Sequence, residues 1–292
     1  MNLSEVIVDG LICYRNGIFR NLGFVGDAKE ALLTFIESEN FLPILKQKLN
    51  VSAVITTPEL AELIPDHIAV ACHCAPRRAF YECHSWLYNE TTFYKFEEGI
   101  RISQTAKVHP TAIIEEGAEI CEKAHIEAYV VVGRGVRIGD RSIIRSGSII
   151  GGEGFEFKRW NEKICSVPHT GTVVIGSDVE VQHNCVIDRS VFGGQTRIGD
   201  FTKIDNMVHV AHNCSIGCRC LIAASAVISG SVVIGDDVWV GPGAVISNGI
   251  TIGSRAQIAI GSIIIKSLLP DLRAVGRAIG HISEALETKT QT

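Results

Sequence analysis

A six-residue repeat of aliphatic side chains runs through most of this chain and limits what it can fold into. Ile or Val occupies every sixth position from Ile102 to Ile150, and a second run extends from Ile198 to Ile264. Six is a multiple of the two-residue period of a strand, so these side chains can all face one way, whereas a helix would scatter them. One such coil cannot bury its apolar side alone, so it must stack on copies of itself.

A longer period of eighteen residues is superimposed on the first. The dipeptide Ile-Gly recurs at Ile198, Ile216, Ile234 and Ile252. Three hexapeptides therefore make one coil, and the pattern predicts a triangular parallel β-helix of roughly eight to ten coils. Gly, Asn and Asp between the strands are expected to supply the positive φ of tight corners.

Composition narrows the classes of function. The net charge of −5 gives no general attraction to nucleic acid or to anionic membrane. No apolar run is long enough to span a membrane and no signal-peptide pattern is present, so a cytoplasmic protein without an integral membrane segment is expected. The ten cysteines lack the two paired clusters that zinc sites usually need, so no metal ligands are predicted.

The chain divides into three predicted parts. Residues 1–100 lack the repeat and resemble a small α/β domain, with helical spacing over 28–50 and 76–88 and strands at 51–55 and 68–71. Residues 101–266 form the β-helix, with a glycine-rich and aromatic loop inserted at 151–171. Residues 267–292 are expected to be a short tail with one helix around 281–287. Such an inserted loop suggests contact with a ligand.

Polar residues cluster in the second run of repeats. His212 follows Val210 and is expected at the corner after that strand, with His209 pointing outward. A histidine can take a proton from an attacking amine near neutral pH, and a carboxylate such as Asp205 can fix its tautomer. His183, Asp188 and Arg189 form a second polar group. Polar corner residues bonded to backbone would have the same spacing, so spacing alone does not choose a reaction.

Three segments carry a more specific signal. They are Lys203 to Asn213 (KIDNMVHVAHN), Val179 to Arg189, and Gly154-Phe155-Glu156-Phe157 in the inserted loop. Together they resemble the UDP-3-O-acylglucosamine N-acyltransferases, the hexapeptide-repeat enzymes of lipid A synthesis. The resemblance extends over residues 5–266 and implies a left-handed parallel β-helix with a small N-terminal α/β domain and a short C-terminal helical tail.

The resemblance also implies roles for individual residues. His212 would be the general base and Asp205 its support, while a backbone N–H near Gly230 would stabilise the oxyanion. The segment Leu33 to Leu42 resembles the family's uridine-binding segment. The residues implied to bind the nucleotide sugar are Phe35, Ser38, Phe41, Phe155, Phe157 and His209. Those implied to bind the acyl donor are Gly230 and Gly249. No cofactor would be tightly bound, because acyl-CoA or acyl carrier protein is a co-substrate, and a homotrimer is implied.

The chain departs from the family at several positions. Gly249 stands where a second histidine is frequent, His209 replaces a glutamine, and the tail is short. Val238 to Gly249 and Ala274 to Ile279 resemble acetyltransferases that use acetyl-CoA. The main hypothesis is therefore N-acylation of another UDP- or dTDP-linked amino sugar for surface polysaccharide, with UDP-3-O-acylglucosamine N-acyltransferase itself as the alternative. A hexapeptide carbonic anhydrase, which would use His183, His209 and His212, and a non-catalytic sugar-nucleotide sensor are less favoured.

Overall fold

The computed structural model describes residues 1–96 and 98–276, which divide into two compact units. The first unit comprises Met1–Lys95, Phe155–Gly171 and Val191–Gly194. Within the described residues, the second comprises Phe96–Gly154, Thr172–Ser190 and 195–276. The predicted helix around 281–287 lies outside the described residues. Among those described, no helix has both the length and the apolar character needed to cross a membrane.

A five-stranded sheet forms the centre of the first unit, with strand order β1-β5-β4-β3-β2. Its strands are β1 (Ile12–Arg15), β2 (Asn21–Leu22), β3 (Leu32–Phe35), β4 (Val51–Thr56) and β5 (Ala69–Cys72). The helices are α1 (Leu42–Gln47), α2 (Pro58–Ala61) and α3 (Pro76–Glu90), with 3-10 turns at Leu3–Glu5 and Glu39–Phe41. Only β1 runs antiparallel to its neighbour.

The helix predicted over residues 28–50 is wrong in its first half. Leu32, Leu33 and Thr34 are fully buried and lie in β3, a central strand. A strand buried on both faces is apolar without alternation, so its pattern cannot be distinguished from that of a short buried helix. The strands predicted at 51–55 and 68–71 and the helix predicted at 76–88 agree with β4, β5 and α3.

The second unit is a three-sided coil of short strands. The coils before the inserted loop contain β6 to β14: Arg101–Ile102, Lys107–Val108, Ile113–Ile114, Glu119–Ile120, His125–Ile126, Val131–Val132, Arg137–Ile138, Ile143–Ile144 and Ile149–Gly152. The inserted loop contains the hairpin β15 (Phe157–Trp160) and β16 (Lys163–Ser166).

The coils after the loop contain β17 to β32: Thr172–Ile175, Glu180–Val181, Val186–Asp188, Gln195–Ile198, Lys203–Ile204, His209–Val210, Ser215–Ile216, Leu221–Ile222, Val227–Ile228, Val233–Ile234, Trp239–Val240, Val245–Ile246, Thr251–Ile252, Gln257–Ile258, Ile263–Ile264 and Arg273–Ala274.

These strands form three parallel sheets, one on each side of the coil. The first sheet runs from β7 to β32, the second from β8 to β31 and the third from β6 to β29. The Ile and Val ladder fills the interior, and from Ile120 to Ile258 its members are at most 2% exposed. The architecture is the left-handed parallel β-helix predicted from the repeat.

The glycines of the Ile-Gly dipeptides have a different role from the one expected. The left-handed corner position is taken by other residues, such as Phe201 (φ 61°) and Asp237 (φ 59°). A Cβ on Gly199 would lie 2.5 Å from the carbonyl carbon of Gly217 in the next coil. Glycine is therefore needed at these positions because the neighbouring coil is too close for a side chain, and not because the backbone has a positive φ.

Both interruptions of the ladder belong to the first unit. The ring of Phe192, from the shorter interruption, lies 5.1 Å from Phe80 and 5.6 Å from Tyr81 of α3, between ring centroids. Trp160 of β15 also contacts Tyr81, at 6.2 Å. The inserted loop was expected to belong to the repeat domain, but residues 155–171 instead pack within the first unit, because their apolar side chains join its core.

Candidate functional site

One corner of the β-helix brings several of the predicted residues together. It lies between the second and third sheets and stacks residues 151–154, 188–190, 211–214 and 229–232 of successive coils. We call it the histidine corner. The pairs Ile187–Val210 and Val210–Ile228 set the register, so Asp188, Ala211 and Ser229 follow at equivalent places. Both interruptions leave the coil at this corner.

His212 lies in the turn after β22 (His209–Val210), half-buried, as its position after Val210 predicts. Its Nδ1 is 3.0 Å from Oδ1 of Asn213. An amide oxygen can only accept, so Nδ1 carries the ring proton and the lone pair is on Nε2. The site therefore holds the tautomer in which Nε2 can act as a base. The sequence motif contains Asn213, but its spacing does not indicate this contact.

Gly230 makes room for this imidazole in the next coil. A Cβ on Gly230 would be 2.6 Å from Cε1 of His212 and 2.8 Å from Nε2. Real Cβ contacts are longer than this, so any larger residue would displace the ring. The N–H of Gly249, one coil further on, donates to the carbonyl of Gly230 at 3.0 Å.

A buried carboxylate lies on the preceding coil. The side chain of Asp188 is 3% exposed, and its Oδ2 is 3.6 Å from Nε2 of His209. Burial raises the pKa of Asp188 to about 6, and the nearby His212 opposes that shift. His209 is half-exposed, and burial lowers its pKa, which favours the neutral ring near pH 7. The structure thus groups Asp188 with both histidines.

Arg189 fixes the backbone beside this carboxylate. Its Nε donates to the carbonyl of Gly151 at 2.7 Å, and its guanidinium lies 3.7 Å from Glu115. Its own N–H donates to Gly152 at 2.9 Å. The side chain of Arg189 therefore contacts preceding coils, and Gly151 and Glu115 engage its guanidinium.

Asp205 lies at a different corner, before β22 rather than after it. Its Oδ1 accepts from the N–H of Asn206 at 2.7 Å and from Nδ2 of Asn206 at 2.9 Å, and its Oδ2 accepts from the N–H of Ala224 at 3.1 Å. The N–H of His183 donates to Asn206 at this same corner. His183 therefore lies at one corner, while Asp188 and Arg189, which the sequence grouped with it, lie at another. The support of His212 by Asp205 stays a prediction.

A shallow depression of about 220 Å³ lies beside Asp205 on the first sheet. Its lining residues are Gln182, Lys203, Ile204, Asp205, Leu221, Ile222, Ala223 and Trp239. Within the described ranges, no group of three or more His, Cys, Asp or Glu side chains is arranged to hold a metal ion.

Three of the predicted nucleotide-binding residues, Phe35, Ser38 and Phe41, lie at the end of β3 and in the turn that follows it. Arg77 covers the ring of Phe35, with its guanidinium carbon 5.6 Å from the ring centroid. Glu37 holds this arginine, with Oε2 3.2 Å from Nε and Oε1 accepting the backbone N–H of Arg77 at 3.2 Å. Ser38 caps the following turn by accepting from the N–H of Asn40, and Phe41 is 44% exposed.

The aromatic residues of the inserted loop form a surface pair. Phe155 is 88% exposed and Phe157 is 44% exposed, with ring centroids 4.9 Å apart. Lys158, between them and Trp160, points to the other face of the hairpin, where its ammonium lies 4.7 Å from the ring centroid of Tyr81. Strand β15 therefore half-buries Lys158 and Trp160 on one side and presents Phe157 on the other, next to Phe155.

Comparisons with known proteins identify the repeat. The chain matches the bacterial transferase hexapeptide (six repeats) model over residues 117–152 and 195–230. A UDP-3-O-acylglucosamine N-acyltransferase of Gloeobacter violaceus is 49% identical over 70 residues, which is 24% of this chain and 20% of that protein. One from Leptospira biflexa is 49% identical over 71 residues, with the same shares. These matches confirm the predicted resemblance, but they span only about a fifth of the length of the curated relatives.

Solved structures include a UDP-N-acetylglucosamine acyltransferase from Campylobacter jejuni. It is 27% identical, with a TM-score of 0.43, over 63% of this chain and 72% of that one.

Proposed function

We propose that the chain is an N-acyltransferase that moves an acyl group from a thioester to the amine of a nucleotide-linked amino sugar. The names of the curated relatives favour UDP-3-O-acylglucosamine, the alternative acceptor that the sequence predicts. The thioester, acyl-CoA or acyl carrier protein, is a co-substrate that leaves after each turnover.

The observation that carries this proposal is the arrangement of His212. Its Nδ1 proton is held by Asn213, and Gly230 leaves room for the ring on the next coil. The sugar amine attacks the thioester carbonyl, and Nε2 removes a proton from the nitrogen as the C–N bond forms. The C–S bond then breaks, and the imidazolium returns the proton to the thiolate. General-base assistance of this kind contributes about 10²–10⁴-fold.

The oxyanion formed in this step needs a donor near Gly230. Preorganised backbone N–H groups typically supply such stabilisation. Gly230 lies against His212, and Gly249 lies in the adjacent coil, where its N–H donates to the carbonyl of Gly230. A Cβ on Gly249 would meet no atom within 4 Å, which leaves space there for the thioester arm. We therefore keep both as the proposed acyl-donor contacts.

Nucleotide binding is assigned to the first unit. The proposed contacts are Phe35, Ser38, Phe41, Phe155 and Phe157, with His209 on the sugar. Because Arg77 covers Phe35, a base that stacks on that ring must displace the guanidinium, which is then available to a phosphate. Arg77→Ala should accordingly raise the KM for the nucleotide sugar.

A homotrimer fits the outward surface of the second sheet. Ile113, Ile149, Val227, Val245 and Ile263 point outward from five of the eight strands of this sheet and are between 36% and 72% exposed, while the intervening strands present the half-buried Val131 and Val186 and one polar residue, His209. An apolar stripe of this length on a soluble β-helix favours contact with other copies. Light scattering of the purified chain tests it, and a monomer would contradict this part of the proposal.

The decisive experiment measures thioester consumption. Acetyl-CoA and a 3-hydroxyacyl carrier protein are each offered with UDP-3-O-acylglucosamine, and with UDP- and dTDP-linked amino sugars that lack the 3-O-acyl group. Acylation of the first acceptor, lost in His212→Gln, is the expected result. Tight binding of the nucleotide sugars without turnover of any pair would instead indicate a sensor.

A second candidate is acetylation of another nucleotide-linked amino sugar from acetyl-CoA. It is favoured by Gly249, which stands where the family frequently has a second histidine, and by the segment Val238 to Gly249. Turnover with acetyl-CoA and an acceptor lacking the 3-O-acyl group would select it.

A further inference from the structure

We propose that Asp188, shared between His209 and His212, is the positioning residue that balances the charge of the catalytic histidine. The proposal deepens the proposed function and rests on it. It also transfers to Asp188 the supporting role that the sequence resemblance gave to Asp205.

Packing alone does not account for an acid at this place. The equivalent positions of the two following coils hold Ala211 and Ser229, and the preceding coil pairs Gly152 with Asp188. A buried carboxylate costs free energy unless opposite charge or hydrogen bonds compensate it. The side chain of Asp188 is 3% exposed, so its presence points to a partner that becomes positively charged.

The groups that face Asp188 define that partner. They are His209, with Nε2 at 3.6 Å, His212, and the thiol of Cys214 on the same turn as His212. Burial raises the pKa of Cys214 to about 12, so the thiol stays neutral. The guanidinium of Arg189 is engaged by Gly151 and Glu115. Burial lowers the pKa of His209 and favours its neutral ring, so among the groups that face Asp188 the base that takes a proton during the reaction is His212.

Asp205 is less suited to the same task. It lies at the other end of β22, and three N–H donors from Asn206 and Ala224 already satisfy its carboxylate. Hydrogen bonds of this kind, from nearby N–H groups to a side-chain carboxylate, are typical of a residue that caps a turn, so Asp205 stabilises its own corner. Seven residues separate Asp205 from His212 in sequence, but a strand separates them in space.

Asp188 acts through charge rather than through the tautomer. Asn213 already holds the Nδ1 proton of His212. When Nε2 takes the proton of the attacking amine, the imidazolium forms beside a carboxylate buried in a medium of low dielectric, where the attraction is strong.

The test follows the ring of His212 directly, without substrate. The chain labelled with 13C-histidine is titrated by NMR, and the His212 signal is identified by its loss in His212→Gln. Asp188→Asn should lower the pH midpoint of the His212 signal by about one unit and reduce kcat at least tenfold, with the KM for the nucleotide sugar within threefold. Asp188→Glu should restore part of both effects.

Two further variants are the controls. Asp205→Asn should leave the midpoint of the His212 signal within 0.2 units, an interval of about 0.3 kcal/mol, whatever its effect on turnover. Asp200→Asn, which removes a carboxylate that caps Ser177 at another corner, should change neither the midpoint nor kcat. An unchanged midpoint in Asp188→Asn, or an equal change in Asp205→Asn, overturns the proposal.

The two proposals fail in distinguishable ways. A midpoint that depends on Asp188, in a chain that consumes no thioester with any acceptor, would refute the function and leave the coupling intact. Acyl transfer that requires His212 but is unaffected by Asp188→Asn would refute the coupling and leave the function intact. Circular dichroism of each variant confirms that the fold is retained.

Discussion

The imidazole of His212 packs directly against Gly230 of the following coil, where an added Cβ would be 2.6 Å from Cε1. The ring is thus confined by the coil above it, and Asn213 holds its Nδ1. A base held on two sides in this way keeps Nε2 in one direction, which is what a proton transfer during amine attack requires.

Gly230→Ala should reduce kcat by about 10- to 100-fold, because the methyl group displaces the imidazole from its productive position. Thioester consumption at saturating acceptor measures it. Gly26→Ala is the matched control, since a Cβ at Gly26 meets no atom within 4 Å and its φ is not positive. Equal activity of the two variants would show that the packing against Gly230 does not position the ring.

Asn213→Gly should lower kcat about tenfold, since it removes the acceptor that fixes the Nδ1 proton. Glycine suits this site because Asn213 has φ 62°, so the backbone is not strained by the change. Asn213→Asp keeps an acceptor for Nδ1 and should retain activity within a few fold of wild type. If both variants lost activity to the same extent, the amide oxygen would not be the feature that matters.

The scaffold could be predicted because its signal is local and periodic. Each hexapeptide repeats the same choice of an inward aliphatic residue, so the ladder from Ile120 onward fell in the core as expected. The strand β3 was mistaken for helix because burial on both faces removes the alternation that identifies a strand.

The partner of His212 could not be read from spacing. Strand residues of adjacent coils are normally 18 apart, as for His209 and Val227, but the interruption at 191–194 makes Val186 and His209 partners 23 residues apart. Asp188 is thereby brought beside His212 at a distance in sequence that no repeat predicts. Asp205 is near in sequence, yet it lies beyond a strand.

Phe192→Ala should destabilise the first unit by about 3–4 kcal/mol, because it removes a ring from a closed aromatic cluster. Phe192 is 4% exposed and its ring lies 4.8 Å from that of His84, between centroids, while Lys29 donates to its carbonyl at 2.8 Å. Urea denaturation followed by tryptophan fluorescence measures the loss. Phe201→Ala is the control, since that ring is 53% exposed and its removal should cost less than about 0.5 kcal/mol. Equal losses would exclude a structural role specific to the interruption.

Asp188→Asn should stabilise the fold at neutral pH but not in acid. Burial holds the pKa of Asp188 at about 6, above the ordinary value of 3.8, so the folded chain binds this proton more tightly than the unfolded chain does. The protonated carboxyl therefore supports the fold fully below about pH 4, and that contribution is lost as the pH rises through about 6.

Asparagine does not titrate, so the advantage of the variant should grow by about 2–3 kcal/mol between pH 4 and pH 8. Urea midpoints of both chains across this range measure the difference, and a constant difference would show that Asp188 is ionised at little cost in the folded chain.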